Sequence, residues 1–225
     1  MPSSVEKPDW ALIDTVLLDL DGTLLDLAFD NHFWRDVVPA AYAASRSLSV
    51  ETAREQLTRL ARAREGTLDW YCIERWSQEL GLDVGALKRE AGGRIAWLPG
   101  ARKFLRSVRA AGKRIVLLTN AHPRTLQIKH ERTGVREFVD AAVCSHELGA
   151  PKEDPAFWDA VRTVEPFEPV RSLFVDDSPA VLAAARAAGI RWVYGVTRPD
   201  SGGEARDHGR FAAVDSVSQL EPEAP

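Results

Sequence analysis

The stretch Thr15-Val16-Leu17-Leu18-Asp19-Leu20-Asp21-Gly22-Thr23-Leu24 sets a short apolar run directly before two acids and a glycine. Such a run is too short for a helix and reads as a strand buried on both faces. Four further runs have the same character: Arg114 to Thr119, Val139 to Cys144, Ser172 to Asp176 and Arg191 to Val196. The segments around and between these last four, Ala101 to Ala111, His122 to Arg132, Pro155 to Val164 and Pro179 to Ala188, carry helical periodicity. This alternation predicts an α/β fold with a doubly wound parallel sheet covered by helices. Gly112 and Gly189 stand where helices are expected to end, and Pro155 and Pro179 where they begin, which suits the backbone preferences of both residue types.

Three polar clusters follow from the same reading. Asp19 with Asp21, Thr119 with Asn120, and Asp176 with Asp177 each close a predicted strand. In an open parallel sheet, ligands bind beyond the carboxyl ends of the strands, where strand order reverses. The clusters are therefore expected to converge on one pocket. Several carboxylates gathered at one buried edge need a compensating cation, and hard oxygen ligands around an open site point to magnesium. A calcium-binding loop is excluded, because the twelfth position counted from Asp19 is Asp30 where that loop needs a glutamate.

Between the first and second predicted strands lies Leu25 to Trp97, which has no strand-like run and is rich in Ala, Arg, Glu, Leu and Trp. It reads as an inserted all-helical lobe, with helical pieces at Ala28 to Arg46, Val50 to Arg64, Leu68 to Leu80 and Val84 to Gly92, punctuated by glycines. The expected division is residues 1–24 and 98–225 for the α/β core and residues 25–97 for a helical cap. From Arg198 onward the chain reads as a surface loop, one short element around Arg210 to Leu220, and a frayed end.

Composition narrows the function. With 45% hydrophobic and 28% charged residues the chain is of the ordinary globular type, not the disordered or fibrous one. Its 29 basic and 33 acidic residues give a net charge of -4, which leaves no basic excess for a nucleic-acid polymer. Cys72 and Cys144 are far apart in sequence and form neither a disulfide framework nor a thiolate zinc site, as expected in a reducing compartment. Glu6, Lys7 and Asp9 interrupt any secretory signal, and no apolar run approaches the ~20 residues of a membrane span. The expectation is a cytoplasmic protein without a membrane partner, acting as a monomer or homodimer.

Taken together, the motifs resemble those of the haloacid dehalogenase superfamily. Asp19-Leu20-Asp21-Gly22-Thr23-Leu24 is similar to its first motif and Leu118-Thr119-Asn120 to its second. Lys152, in Ala150-Pro151-Lys152-Glu153-Asp154-Pro155, matches the third, and Phe174-Val175-Asp176-Asp177-Ser178 the fourth. The resemblance implies that Asp19 attacks phosphorus and forms an aspartyl phosphate. Asp21 would protonate the leaving oxygen and then activate water, a division that keeps one carboxylate ionised while its neighbour carries a proton. Magnesium would bind Asp19, the backbone carbonyl of Asp21, Asp176 and, directly or through water, Asp177. Thr119, Asn120 and backbone amides near Asp21 and Gly22 would hold the phosphoryl oxygens, and Lys152 would supply positive charge.

The acid at Asp21 favours phosphate esters over haloalkanoates, because a halide needs no proton to leave. Phosphonate-hydrolysing relatives form a Schiff base on a cap lysine. Here the cap offers only Lys88 in Leu87-Lys88-Arg89, which reads as a solvated helical face. A closer resemblance links residues 14–34, Trp70-Tyr71-Cys72, Leu117 to Pro123, Pro151 to Asp154 and Gly195 to Gly202 to bacterial GMP/IMP 5'-nucleotidases of that superfamily. It implies a purine nucleoside monophosphate as substrate. His122, two residues past Asn120, is a candidate substrate contact, and Phe29, Asn31, His32, Trp34, Trp70 and Tyr71 are candidates for holding a base. Asp26, Asp30 and Asp69 read as solvated or capping acids. The alternatives are a phosphatase or mutase for sugar phosphates or other small metabolites, and a binding module without turnover.

Overall fold

The structure, a computed structural model, describes residues 7–222. Part of the amino-terminal segment read against a secretory signal, and the last three residues of the tail, lie outside that range. Among the described residues, the sheet has six parallel strands in the order β3-β2-β1-β4-β5-β6. They are β1 (Thr15–Leu18), β2 (Arg114–Thr119), β3 (Ala141–Cys144), β4 (Ser172–Asp176), β5 (Trp192–Val196) and β6 (Ala212–Val214). From β1 the chain builds outward to β2 and β3, then returns to the other side of β1 as β4 and continues through β5 to β6. The switch point therefore falls at β1, between β2 and β4.

Both sheet faces are covered. Val16, Leu18, Ile115, Leu117, Leu173 and Val175 point into one apolar cluster. Leu17, Val116, Leu118, Phe174 and Val193 point into the other. The two-residue alternation of a strand divides each run between the two cores, which explains why the runs are apolar throughout.

The segment between β1 and β2 forms α1 (Ala28–His32), a π turn (Phe33–Val37), α2 (Val38–Arg46), α3 (Val50–Arg62), α4 (Leu68–Tyr71), α5 (Ile73–Leu80) and α6 (Val84–Ala91). It has its own apolar cluster, including Phe29, Phe33, Tyr42, Leu57, Ile73, Trp76 and Val84. The π turn has an identifiable cause. Pro39 has no N–H to give the carbonyl of Arg35, and that carbonyl instead accepts from Arg54 Nε at 3.1 Å. The chain leaves and re-enters the sheet side by side: Leu98 N–H donates to the Leu24 carbonyl and Asp26 N–H to that of Ala96, both at 2.9 Å.

The remaining helices are α7 (Ala101–Ala110), α8 (Pro123–Thr133), α9 (Ser145–Leu148), α10 (Pro155–Val164) and α11 (Pro179–Ala187). Two details depart from the sequence reading. The helix expected over Leu68 to Leu80 breaks at Cys72, because the Trp76 indole N–H donates to the Trp70 carbonyl at 2.8 Å and displaces a helical bond. The element around Arg210 to Leu220 is a sixth strand followed by a 3-10 turn at Val217–Leu220. Among the described residues no helix is long and apolar enough to cross a membrane.

Candidate active site

Strand register fixes the acids. Leu18 pairs with Leu117 on one side and Val175 on the other, and Asp19 N–H then donates to the Val175 carbonyl at 3.0 Å. Asp19 and Asp176 thus leave the sheet edge as neighbours at the switch point. Gly22 closes the turn with φ +89°, and its N–H donates to the Leu25 carbonyl at 2.7 Å. A side chain there is blocked, since a Cβ would lie 2.7 Å from Asp177 Oδ2 and 2.8 Å from Pro199 Cβ. The Gly22 amide is committed to the turn and does not reach towards the cleft as expected.

Lys152 lies in the segment between α9 and α10. Its Nζ donates to Asp19 Oδ1 at 2.5 Å, Asp176 Oδ2 at 2.7 Å and the Leu118 carbonyl at 3.2 Å. Both sides of its backbone are held: Lys152 N–H donates to Asn120 Oδ1 at 2.9 Å, and its carbonyl accepts from the Trp158 indole at 2.8 Å. Asn120 spends its amide on Glu153 Oε2 at 2.9 Å, and Tyr71 of α4 donates to the other Glu153 oxygen at 2.8 Å. The Asn120 side chain therefore organises the lysine segment. Thr119 Oγ1 accepts from Ala121 N–H at 3.0 Å, so its own proton remains available to a phosphoryl oxygen.

Asp19, Asp176 and Asp177 each offer a carboxylate oxygen within 4.8 Å of the others. Burial pushes Asp19 up to about 7, with the charges of Asp176 and Asp21 adding to it against Lys152. Burial likewise raises Asp177 to about 7 and Asp176 to about 6. Lys152 behaves oppositely: against its burial, Asp176 and Asp19 hold the ammonium above its usual range. Three carboxylates face two cations, Lys152 and the Arg206 guanidinium, which reaches Asp177 Oδ2 at 2.5 Å. The residual negative charge and the all-oxygen donor set fit a hard divalent cation.

Asp21 is turned away from this triad. Its Oδ1 pairs with Lys129 of α8 at 2.5 Å, and the same ammonium meets Asp30 Oδ2 of α1 at 2.6 Å. Burial raises the Asp21 carboxyl. Asp30 is held below its usual range because Lys129 and Lys88 outweigh the burial that would raise it.

Two readings of the sequence need correction. Lys88 is buried, 2% exposed, and bonds Asp30 Oδ1 at 2.6 Å with the Phe33 ring 4.9 Å away. It shares the inward face of α6 with Val84, one helical turn away, and only its neighbours Leu87 and Arg89 suggested a solvated face. Its burial removes the stated ground against a Schiff base, and burial lowers the pKa of its amine against the opposing charge of Asp30. Asp30 is consequently a half-buried partner of two buried lysines, not a solvated acid.

A cleft of about 920 Å³ runs from Asp19, Asp21, Thr119, Asn120 and Lys152 into the helical lobe. Asn31, Trp34, Trp70 and Tyr71 line it; Phe29 belongs to the lobe core, and His32 pairs with Asp36 on the surface. His122 is absent from the lining: its Nδ1 accepts from Arg124 N–H at 3.2 Å, capping α8, and its ring packs edge-on to His146. Sequence reasoning missed Lys129, Glu153 and Arg206. For Lys129 a signal existed, since the period of α8 places it one turn from Thr125, facing inward.

The fold and site define an α/β protein with a carboxylate-based active centre beneath a helical lobe. Residues 13–189 match the haloacid dehalogenase-like hydrolases, and the chain belongs to that family. It is 42% identical over 213 residues to GMP/IMP nucleotidase YrfG of Escherichia coli (strain K12), covering 95% of this chain and 96% of that one. It is 30% identical over 187 residues to a phosphoglycolate phosphatase of Pseudomonas putida, covering 79% and 67% respectively. Among solved structures, a HAD phosphatase from Thermococcus onnurineus superposes with a TM-score of 0.77 at 20% identity, covering 92% of this chain and 96% of that one.

Proposed function

We propose that the chain is a magnesium-dependent phosphomonoesterase acting through Asp19, with purine nucleoside monophosphates as substrates and residues 25–97 as its cap. The observation that carries the reading is the split between two carboxylates on one turn. Asp19 joins Asp176 and Lys152, while Asp21 faces Lys129 outside the metal triad.

The roles follow from charge. An Asp19 oxygen attacks phosphorus as the bond to the ester oxygen breaks, and Asp21 gives its proton to that oxygen, releasing the alcohol. Asp21, now a carboxylate, takes a proton from water, whose oxygen attacks phosphorus and breaks the bond to Asp19. Phosphate leaves, both acids return to their starting states, and the net change is ester plus water to alcohol plus phosphate. Lys152 stabilises negative charge at Asp19 and on the phosphoryl group, and the Thr119 hydroxyl donates to a phosphoryl oxygen. Magnesium would be held by Asp19, Asp176, the Asp21 carbonyl and Asp177, where it would screen the phosphate dianion from the attacking carboxylate.

The purine assignment is supported by the extent of identity to the GMP/IMP nucleotidase and by a cleft lined with Trp34, Trp70 and Asn31, side chains suited to a ring face and a polar edge. Phosphate release from GMP, IMP, pyrimidine nucleotides and hexose phosphates, with and without magnesium, tests it. GMP and IMP should lead; equal turnover of all the esters would discard the purine reading. Asp19→Asn should remove phosphate release while leaving the circular dichroism spectrum unchanged, and persistence of activity would refute covalent catalysis.

A further inference from the structure

The mechanism above leaves two buried lysines and two half-buried acids only partly used. They form one alternating chain across the two parts of the molecule: Asp21 on the loop after β1, Lys129 on α8, Asp30 on α1 and Lys88 on α6. The contacts are 2.5 Å from Lys129 Nζ to Asp21 Oδ1, 2.6 Å from Lys129 Nζ to Asp30 Oδ2, and 2.6 Å from Lys88 Nζ to Asp30 Oδ1. Once Asp21 has given up its proton, two acids and two bases cancel, which offsets the cost of desolvating the set.

We propose that Lys129 and Asp30 are positioning residues for Asp21, so that docking of the helical lobe aligns the acid that protonates the leaving oxygen. Lys129 is 1% exposed and does not line the cleft, so it acts only through its neighbours. Among the described residues it is the ion-pair partner of the Asp21 carboxyl. The Asp21 backbone is fixed by the Gly22 turn, whereas the direction of its side chain is set by that ammonium. Lys129 in turn is fixed by Asp30, which belongs to the lobe, and Lys88 holds Asp30 from behind over the Phe33 ring. An undocked lobe would remove Asp30, and Lys129 and Asp21 would lose their common geometry. The orientation of the acid thereby becomes conditional on a closed cleft from which water is excluded.

This inference rests on the phosphomonoesterase reading and has its own test. The full chain and its Lys129→Met, Asp30→Asn and doubly substituted variants are assayed with magnesium on GMP and on aryl phosphates of increasing leaving-group pKa. For Lys129→Met the kcat on GMP should fall about 100-fold with KM within about twofold, the range lost when general-acid catalysis fails. Turnover of 4-nitrophenyl phosphate, whose leaving group needs no proton, should fall less than about fivefold, so the dependence on leaving-group pKa steepens. Asp30→Asn should steepen it in the same direction, and the double variant should be within about twofold of Lys129→Met, because the pair acts as one unit. If Lys129→Met does not fold, Asp30→Asn, which removes charge at nearly constant volume, is judged by the same criterion. An equal loss on every ester, an unchanged slope, or additive losses in the double variant would overturn the proposal. A parent chain that releases phosphate from none of these esters would overturn the hydrolytic reading and this inference with it, whereas an active parent with unchanged variant slopes removes the inference alone.

Discussion

Magnesium should stabilise the fold far more at pH 8 than near pH 5.5. In the unfolded chain Asp19, Asp176 and Asp177 would titrate near ~3.9, whereas in the folded protein burial raises them to about 7, about 6 and about 7. A group raised on folding favours the folded state below its unfolded pKa, and that contribution is lost as pH rises through the folded value. The ion-free protein therefore loses stability from about pH 4 to about pH 7, between the unfolded and folded values, as carboxylates crowd one another. A divalent cation binds the ionised form. At pH 8 the acids are already ionised, and magnesium at about 100 times its dissociation constant adds about 2.7 kcal/mol, a rise of roughly 5–10 °C in Tm for a chain of this size. Near pH 5.5 the ion must displace protons from acids titrating near 7. Each such proton costs about 2 kcal/mol, about thirtyfold in affinity, and the expected rise shrinks below about 2–3 °C. Thermal unfolding followed by circular dichroism, with magnesium or with EDTA at the two pH values, measures this. Equal shifts at both, or no shift at pH 8, would show that the three acids do not share one ion.

Two further variants probe the frame around the acids. Gly22→Ala forces an alanine into a left-handed turn at a cost of about 1–2 kcal/mol and drives its Cβ into Asp177 and Pro199; Tm should fall by at least about 3 °C, together with magnesium affinity by calorimetry. Tyr71→Phe removes the donor to Glu153, worth about 1 kcal/mol; KM should rise about fivefold with kcat within about twofold, and an unchanged KM would dismiss Tyr71 as a tie between lobe and core.

The sheet was legible in the sequence because each apolar run is short, bounded by turn residues and separated from the next by helical periodicity. The acids were legible for a related reason: Asp19, Thr119 and Asp176 each end such a run, and parallel strands bring their carboxyl ends to one edge. Cys72 shows where that legibility stops. Nothing local marks the helix break, which depends on the Trp76 indole reaching the Trp70 carbonyl. Lys88 shows the same limit for charge, since Arg89 beside it is exposed while its own face turns inward.

By itself, then, the sequence determined the parallel α/β scaffold, the inserted helical segment and the acids that meet at the switch point, because periodicity and strand-end position are local properties that a parallel sheet turns into shared location. Only the tertiary structure decided which cation answers which carboxylate. Lys152 serves Asp19 and Asp176, whereas Lys129 and Lys88 serve Asp21 and Asp30. These partners lie from 24 residues apart, for Lys152 and Asp176, to 133 apart, for Lys152 and Asp19. Such pairing is a requirement of burial in a low-dielectric interior, and between Lys129 and Asp30 it exists only once helices from the lobe and the core have packed together.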